Sequence, residues 1–165
     1  MIHPGLVAIT EDSPQREDSE MAVTVKKITL WRSEVENKSG MLAQTLKPLA
    51  DAGASLQVVM AYRVPGEPTR AAIELSPVSG KKSQAAATTA GLDRSAIPTL
   101  LAMGDDRPGL GSEIAEAIAG AGINMSFMVA QVVGRRYSAV YGFETEEEAR
   151  IATSLIKKVS KPRRR

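Results

Sequence analysis

Cysteine is absent from the 165-residue chain, and histidine occurs once, as His3. Without cysteine there is no disulfide framework, no thiolate nucleophile and no Cys-ligated metal, which fits a reducing cytoplasm. A lone histidine in a terminal segment leaves no material for His-dependent acid–base schemes or the usual zinc sites. No apolar run approaches the ~18 residues of a membrane helix, and no charged start precedes an apolar core at the N-terminus. A soluble, cytoplasmic protein with no membrane partner is expected. The Gly-x-Ser-x-Gly elbow and the GxxxxGK[ST] phosphate loop are both missing. So is the aromatic run of four-stranded RNA-binding modules.

What is present is enough apolar material for a core, 43% of residues, sufficient for one domain or two small ones packed together. The formal charge of +2 hides an uneven distribution. Residues 1–22 hold Glu11, Asp12, Glu17, Asp18 and Glu20 against Arg16, and read as a disordered acidic leader. Met1 and Met21 both stand as candidate translation starts. Residues 159–165 form a basic tail that continues the charge of Lys157 and Lys158, so the span between the termini is nearly neutral. The tail is a candidate grip for nucleic acid, although short basic ends are commonly solvated.

Between the tails the pattern alternates. Val23–Trp31 ("VTVKKITLW") is rich in β-branched residues and reads as one strand. From Gly40, Leu42, Leu46 and Leu49 form one apolar stripe on a helix closed by Gly53, with Pro48 expected to kink it. Two strands follow around "PGEP", then an alanine-rich helix from Gly80 to near Gly91. The second half repeats the order: strand "AIPTLLAMG", helix "PGLGSEIAEAIAGAG", strands "INMSFMVAQVV" and "RRYSAVYGF", and a helix opened by a Thr145/Glu148 capping box. Aligning Gly40 with Gly109 superimposes Gly53 on Gly122, Ala50 on Ala119 and Ser55 on Asn124.

Two copies of a β-α-β-β-α unit therefore predict an α+β fold of two tandem ferredoxin-like domains, at 23–94 and 95–158, with antiparallel sheets covered by helices on one face. Each copy is one strand short of the full plan, and "DRSAIPTLLAMG" serves either as the end of the first or the start of the second. Exposed sheet faces and edges call for partners, so the copies are expected to pack together and the chain to form a homodimer. Trp31 is read as a core anchor ahead of an interface residue.

The stretch "GDDRPGLGSEIAEAIAGAGINM" concentrates charge and backbone freedom at one helix entrance. Local structure alone accounts for it: Pro108 suits the first helical position, Asp106 can accept from a free N–H, and Gly109 admits close approach. A binding site that aims free N–H groups at a ligand accounts for it too.

The same stretch resembles the signature of the ACT domain family of small regulatory modules. "ENKSGMLAQTLKPLADAGASLQ" resembles the variant found in stand-alone bacterial proteins made of two ACT domains, with Asn37, Lys38 and Ser39 in place of Asp-Arg-Pro. The resemblance implies an amino acid, or a similar small metabolite, sensed between neighbouring domains, with no cofactor. A regulated enzyme is a further implied partner. By position the implied ligand-binding residues are Asn37, Lys38, Ser39, Gly40 and Met41 with Ser55, Leu56 and Gln57 in the first copy. In the second they are Asp105, Asp106, Arg107, Pro108, Gly109 and Leu110 with Asn124, Met125 and Ser126. Gly111 departs from the larger apolar residue usual at its position.

Two other functions compete with sensing. An enzyme would need an acid–base pair facing one substrate from two sides, and adjacent Asp105 and Asp106 do not offer that. A nucleic-acid binder would need exposed aromatics, yet alternation puts Tyr137, Tyr141 and Phe143 mostly on one face, where core packing is expected. Regulation without catalysis is the expectation.

Overall fold

The computed structural model describes residues 23–161; the acidic leader, His3, both candidate starts and residues 162–165 of the basic tail lie outside it. Twelve elements follow in order: β1 (Thr24–Ile28), β2 (Trp31–Glu36), α1 (Met41–Asp51), β3 (Val58–Arg63), β4 (Arg70–Ser76), α2 (Lys81–Thr89), β5 (Asp93–Arg94), β6 (Thr99–Asp105), α3 (Leu110–Gly120), β7 (Phe127–Val133), β8 (Arg136–Gly142) and α4 (Glu146–Val159). They form two four-stranded antiparallel sheets, ordered β3-β4-β2-β5 and β1-β6-β8-β7. The expected ferredoxin-like α+β plan is present twice.

The main departure concerns the strand read as Val23–Trp31. It is two strands in two sheets. Thr24–Ile28 pairs with Met103–Thr99 of β6, whereas Trp31 and Arg32 pair with β4 on one side and with Arg94 and Asp93 on the other. The strand missing from the second copy is thus supplied by a segment that precedes the first copy, and the two residues of β5 complete the first sheet. Sheet membership consequently crosses the division at 23–94 and 95–158 for this one segment. Leu30, fully buried, sits at the step between the sheets, and its carbonyl accepts from the Ser95 N–H at 2.8 Å.

Side-chain alternation then gives each sheet two different faces. Leu100, Ala102, Tyr137, Ala139 and Tyr141 meet Leu110, Ile114 and Ile118 of α3 and Ala152 and Ile156 of α4. Trp31, Ile73 and Leu75 meet Leu49 of α1 and Ala87 of α2. On the opposite faces, Val58 and Met60 of the first sheet join Leu30, Leu101 and Val140 in one cluster, so the two sheets touch through their helix-free sides. Tyr137, Tyr141 and Phe143 are all buried, as is Trp31.

Helix signals agree in type and differ in detail. Ile114 and Ile118 follow Leu110 at i+4 and i+8 and are all buried, and Thr145 accepts from the Glu148 N–H at 3.2 Å while Glu148 accepts from the Thr145 N–H at 3.0 Å. In α1 the stripe is shorter than expected. Leu49 is buried and Leu46 packs beside it, but Leu42 is 39% exposed at the helix entrance. The helix runs on through Pro48, whose carbonyl still accepts from Ala52. Among the described residues no helix is long and apolar enough to cross a membrane.

Candidate ligand-binding mouths at the two strand-to-helix turns

Both turns enter their helices in the same way. Gly40 (φ 90°) and Gly109 (φ 84°) occupy the cap positions of α1 and α3 in the left-handed region, and neither helix receives a side-chain cap. Only glycine takes that backbone readily; the Met41 and Leu110 N–H groups donate back to Lys38 O and Arg107 O at 3.5 and 3.1 Å, and the next N–H groups of each first turn have no side-chain cap. Contrary to the expectation from sequence, Asp106 does not cap α3, and Pro108 lies before the cap rather than at the first helical position. The contrast with the complete capping box of α4 is sharp.

At the first mouth, Asn37 ties the turn to the β3–β4 hairpin, its backbone N–H donating to Thr69 O and its side-chain amide to Pro68 O, each at 2.8 Å. Lys38 folds back onto Glu36 at 2.5 Å, and that hydrogen bond holds the Glu36 carboxyl below its ordinary pKa. A cleft of ≈ 310 Å³ opens between this turn, the first residues of α1 and the ends of the strands; Val35, Met41, Leu42, Ala61, Ala71 and Ile73 form its apolar walls. Tyr62 and Arg63 complete it on the edge strand. A second cleft, of ≈ 670 Å³, lies against the same turn beside Glu34, Pro68 and Arg70. Glu34, on its wall, is bonded at 2.8 Å by Arg32, which also reaches the buried Glu74 at 2.9 Å. The Arg32 bond, with the Arg70 charge second, lowers the Glu34 pKa.

At the second mouth the side chains are engaged with one another. Asp105 pairs with Arg136 at 2.7 Å, and the Asp106 N–H donates to Arg135 O at 2.7 Å. Arg107 closes its fork on Glu113 at 2.8 and 2.5 Å and also donates to Val159 O at 3.0 Å. Leu110 is buried. Behind the turn, Tyr137 and Tyr141 share a buried hydrogen bond of 2.5 Å. Burial pushes the Tyr137 pKa up, the Tyr141 bond opposes this, and the nearby Asp106 charge adds to it.

The second-strand residues implied by the resemblance lie elsewhere. Ser55, Leu56 and Gln57 follow α1, and Asn124, Met125 and Ser126 follow α3, so the 11 residues of each helix, about 16 Å, separate them from the turn of their own copy. Gln57 and Ser126 begin their strands by donating N–H bonds to Ser76 O and Gly142 O. The turns themselves, Asn37–Met41 and Asp105–Leu110, are each brought together. Sequence reasoning missed the strand walls of the first cleft, Val35, Ala61, Ala71 and Ile73, although period-two alternation along β2, β3 and β4 marks them as sharing the helix-side face. It also missed Glu113 and Val159 as the partners of Arg107.

No family model and no curated protein matches the chain. Solved structures do. Protein BT0572 from Bacteroides thetaiotaomicron is similar with a TM-score of 0.66 at 12% identity, covering 84% of this chain and 99% of its own. The regulatory subunit of aspartate kinase from Thermus thermophilus, in a ligand-free form, gives 0.58 at 14% identity, covering 86% and 99%. The corresponding subunit from Thermus flavus gives 0.55 at 15%, covering 85% and 97%. At these identities the likeness is one of fold: a duplicated ferredoxin-like α+β plan of two four-stranded antiparallel sheets with their helices.

Proposed function

We propose that the chain is a regulatory protein that binds an amino acid or a close metabolite at a strand-to-helix mouth, completed by a neighbouring ACT unit. The observation that carries this reading is that Gly40 and Gly109 lead their uncapped helices in the same left-handed conformation, whereas Gly80 leads the uncapped α2 with a different backbone (φ 81°, ψ 150°) and α4 is fully capped. Uncapped first-turn N–H groups suit a carboxylate. A helix dipole contributes only about 0.3–1 kcal/mol at an exposed site, whereas micromolar affinity needs about 8 kcal/mol. Directed N–H bonds and an enclosing wall have to supply the rest.

The wall comes from a second chain. Ser55–Gln57 and Asn124–Ser126 cannot reach the turns of their own copy, so their part in a site requires another copy alongside. The edge strand β7 favours such an assembly: it carries no charge, and Met128, Val129, Val132 and Val133 leave both of its faces apolar and 38–68% exposed. A strand of that composition reads as one meant to be covered on both faces and paired at its edge. Ligand that favours one arrangement of the paired units over another would pass the signal to a regulated enzyme, for which a coupling of about 1–3 kcal/mol suffices.

Thermal-shift and calorimetric titration of the full chain against the twenty amino acids, with solution mass measured for each hit, tests the reading. Saturable binding by at least one, with a dimeric mass, is expected. No response from any of them, or a strictly monomeric complex, refutes it.

A further inference from the structure

Both ends of the described chain lie at one end of the second unit. Val23 stands against Gly104 near the close of β6, where a Cβ built on the glycine would be 2.6 Å from Val23 Cα. Three residues further on, Arg107 donates to Val159 O at 3.0 Å, which fastens the last turn of α4 to the same place. The tip of the β7–β8 hairpin is tied there too, because the Asp106 N–H donates to Arg135 O at 2.7 Å. Positive charge collects around this turn. Arg135, Lys157, Lys158 and Lys161 are exposed, and among the described residues none of the four enters an ion pair. Of the carboxylates at the turn, Glu113 and Asp105 are committed to Arg107 and Arg136, which leaves Asp106 against four cations. Lys157 and Lys158 suit the negative end of the α4 dipole, but that reason does not extend to Arg135 on the hairpin or to Lys161 beyond the helix. The basic sequence then continues through Arg163, Arg164 and Arg165.

We infer that the acidic run of the leader docks on this basic end of its own chain and covers it. Glu11, Asp12, Glu17, Asp18 and Glu20 oppose Arg16 alone, so the run carries the charge that the surface lacks. It is also delivered to the right place. Glu20 precedes Val23 by three residues and Glu11 by twelve, so an extended chain carries the first within about 10 Å and the second within about 40 Å of the exit beside Gly104. Single surface ion pairs are weak, but a short tether holds the carboxylates at an effective concentration in the millimolar range, where several such pairs act together. An anionic partner from outside has to displace the leader before it reaches the lysines, which makes the contact autoinhibitory. A chain begun at Met21 lacks all five carboxylates and leaves the basic end bare. The inference is independent of the ligand reading above.

The chain has no cysteine, so Ser13→Cys carries a single nitroxide label into the acidic run, and paramagnetic broadening of amide signals shows where that run rests in the full chain. At about 0.1 M salt, Arg135, Arg136, Lys157, Lys158 and Lys161 should lose more signal than in a labelled chain whose five leader acids are replaced by Gln or Asn. Raising the salt to about 1 M, where the Debye length is about 3 Å, should abolish the difference. Replacing Lys157, Lys158 and Lys161 together by Gln should restore much of the lost signal at Arg135 and Arg136, with the melting temperature confirming the fold. Equal broadening with the neutralised leader, broadening unmoved by salt, or broadening centred on the exposed strand β7 overturns the inference. So does broadening found only on an unlabelled copy mixed with the labelled one, which would make the contact one between chains.

Discussion

Val23 lies directly over Gly104: a Cβ built on the glycine would stand 2.6 Å from Val23 Cα and 2.9 Å from its N. The close approach seats the incoming N-terminal strand on β6, next to the Thr24–Met103 pair.

Gly104→Ala should therefore force β1 away from β6, because the obstacle is backbone and cannot rotate aside. A loss of about 1–3 kcal/mol is expected from urea unfolding. Gly111, with open space around its would-be Cβ and no positive φ, is the control; Gly111→Ala should be neutral or stabilise α3 by up to about 1 kcal/mol.

Removal of β1 should damage the half of the chain that lies farthest from it in sequence. A fragment starting at Trp31 bares the edge of β6 along Thr99–Met103 and strips Val23 and Val25 from the core beneath α3 and α4. Size-exclusion chromatography and near-ultraviolet circular dichroism should report aggregation or a loosened second unit. A fragment 31–161 that melts as cooperatively as 23–161 would contradict the assigned sheet order.

Arg107→Ala should cost about 1–3 kcal/mol, because it leaves Glu113 and the Val159 carbonyl without the charged donor each now has. The two side chains are only 21% and 28% exposed, so the pair is better shielded than the surface ion pairs. A double-mutant cycle with Glu113→Gln measures their coupling, expected to be about 1 kcal/mol or more. Additive losses would show that the fork contributes nothing as a pair.

Acid should weaken the first unit through Glu34. Arg32 first, and Arg70 second, hold its carboxyl below the ordinary glutamate value of about 4.3. A folded-state pKa below the unfolded one gives stability that is present above the unfolded value and lost as pH falls through the folded value. Urea midpoints should therefore fall as pH drops below about 4.3, and Glu34→Gln should flatten that part of the profile. An unchanged slope in the variant would move the effect to other carboxyls.

At the alkaline end the sign reverses. Burial, followed by the Tyr137 hydrogen bond, raises the Tyr141 pKa, and burial raises that of Tyr137. Unfolded tyrosines ionise near 10, so stability should decline above that pH. Ultraviolet titration of the folded chain should show these two phenols ionising only on unfolding.

Much of the architecture was legible along the chain because its signals are local. The capping box of Thr145 and Glu148, the Leu110–Ile114–Ile118 stripe and the strand alternation of Tyr137, Ala139 and Tyr141 each report a period or a cap set by neighbouring residues. The two glycine-led entrances were legible as turns but not as left-handed caps. Leu42 was misplaced because a 3.6-residue period identifies a stripe without saying where the core beneath it ends.

Sequence alone determined the duplicated element order and the positions of both turns, since these follow from backbone preference and apolar spacing over a few residues. Only the tertiary structure decided that β1 leaves its neighbour β2 to join β6, and that Arg107 meets Val159 across 52 positions while Lys38 meets nothing comparable. Strand pairing and side-chain docking depend on which surfaces meet after folding, and no local period encodes them.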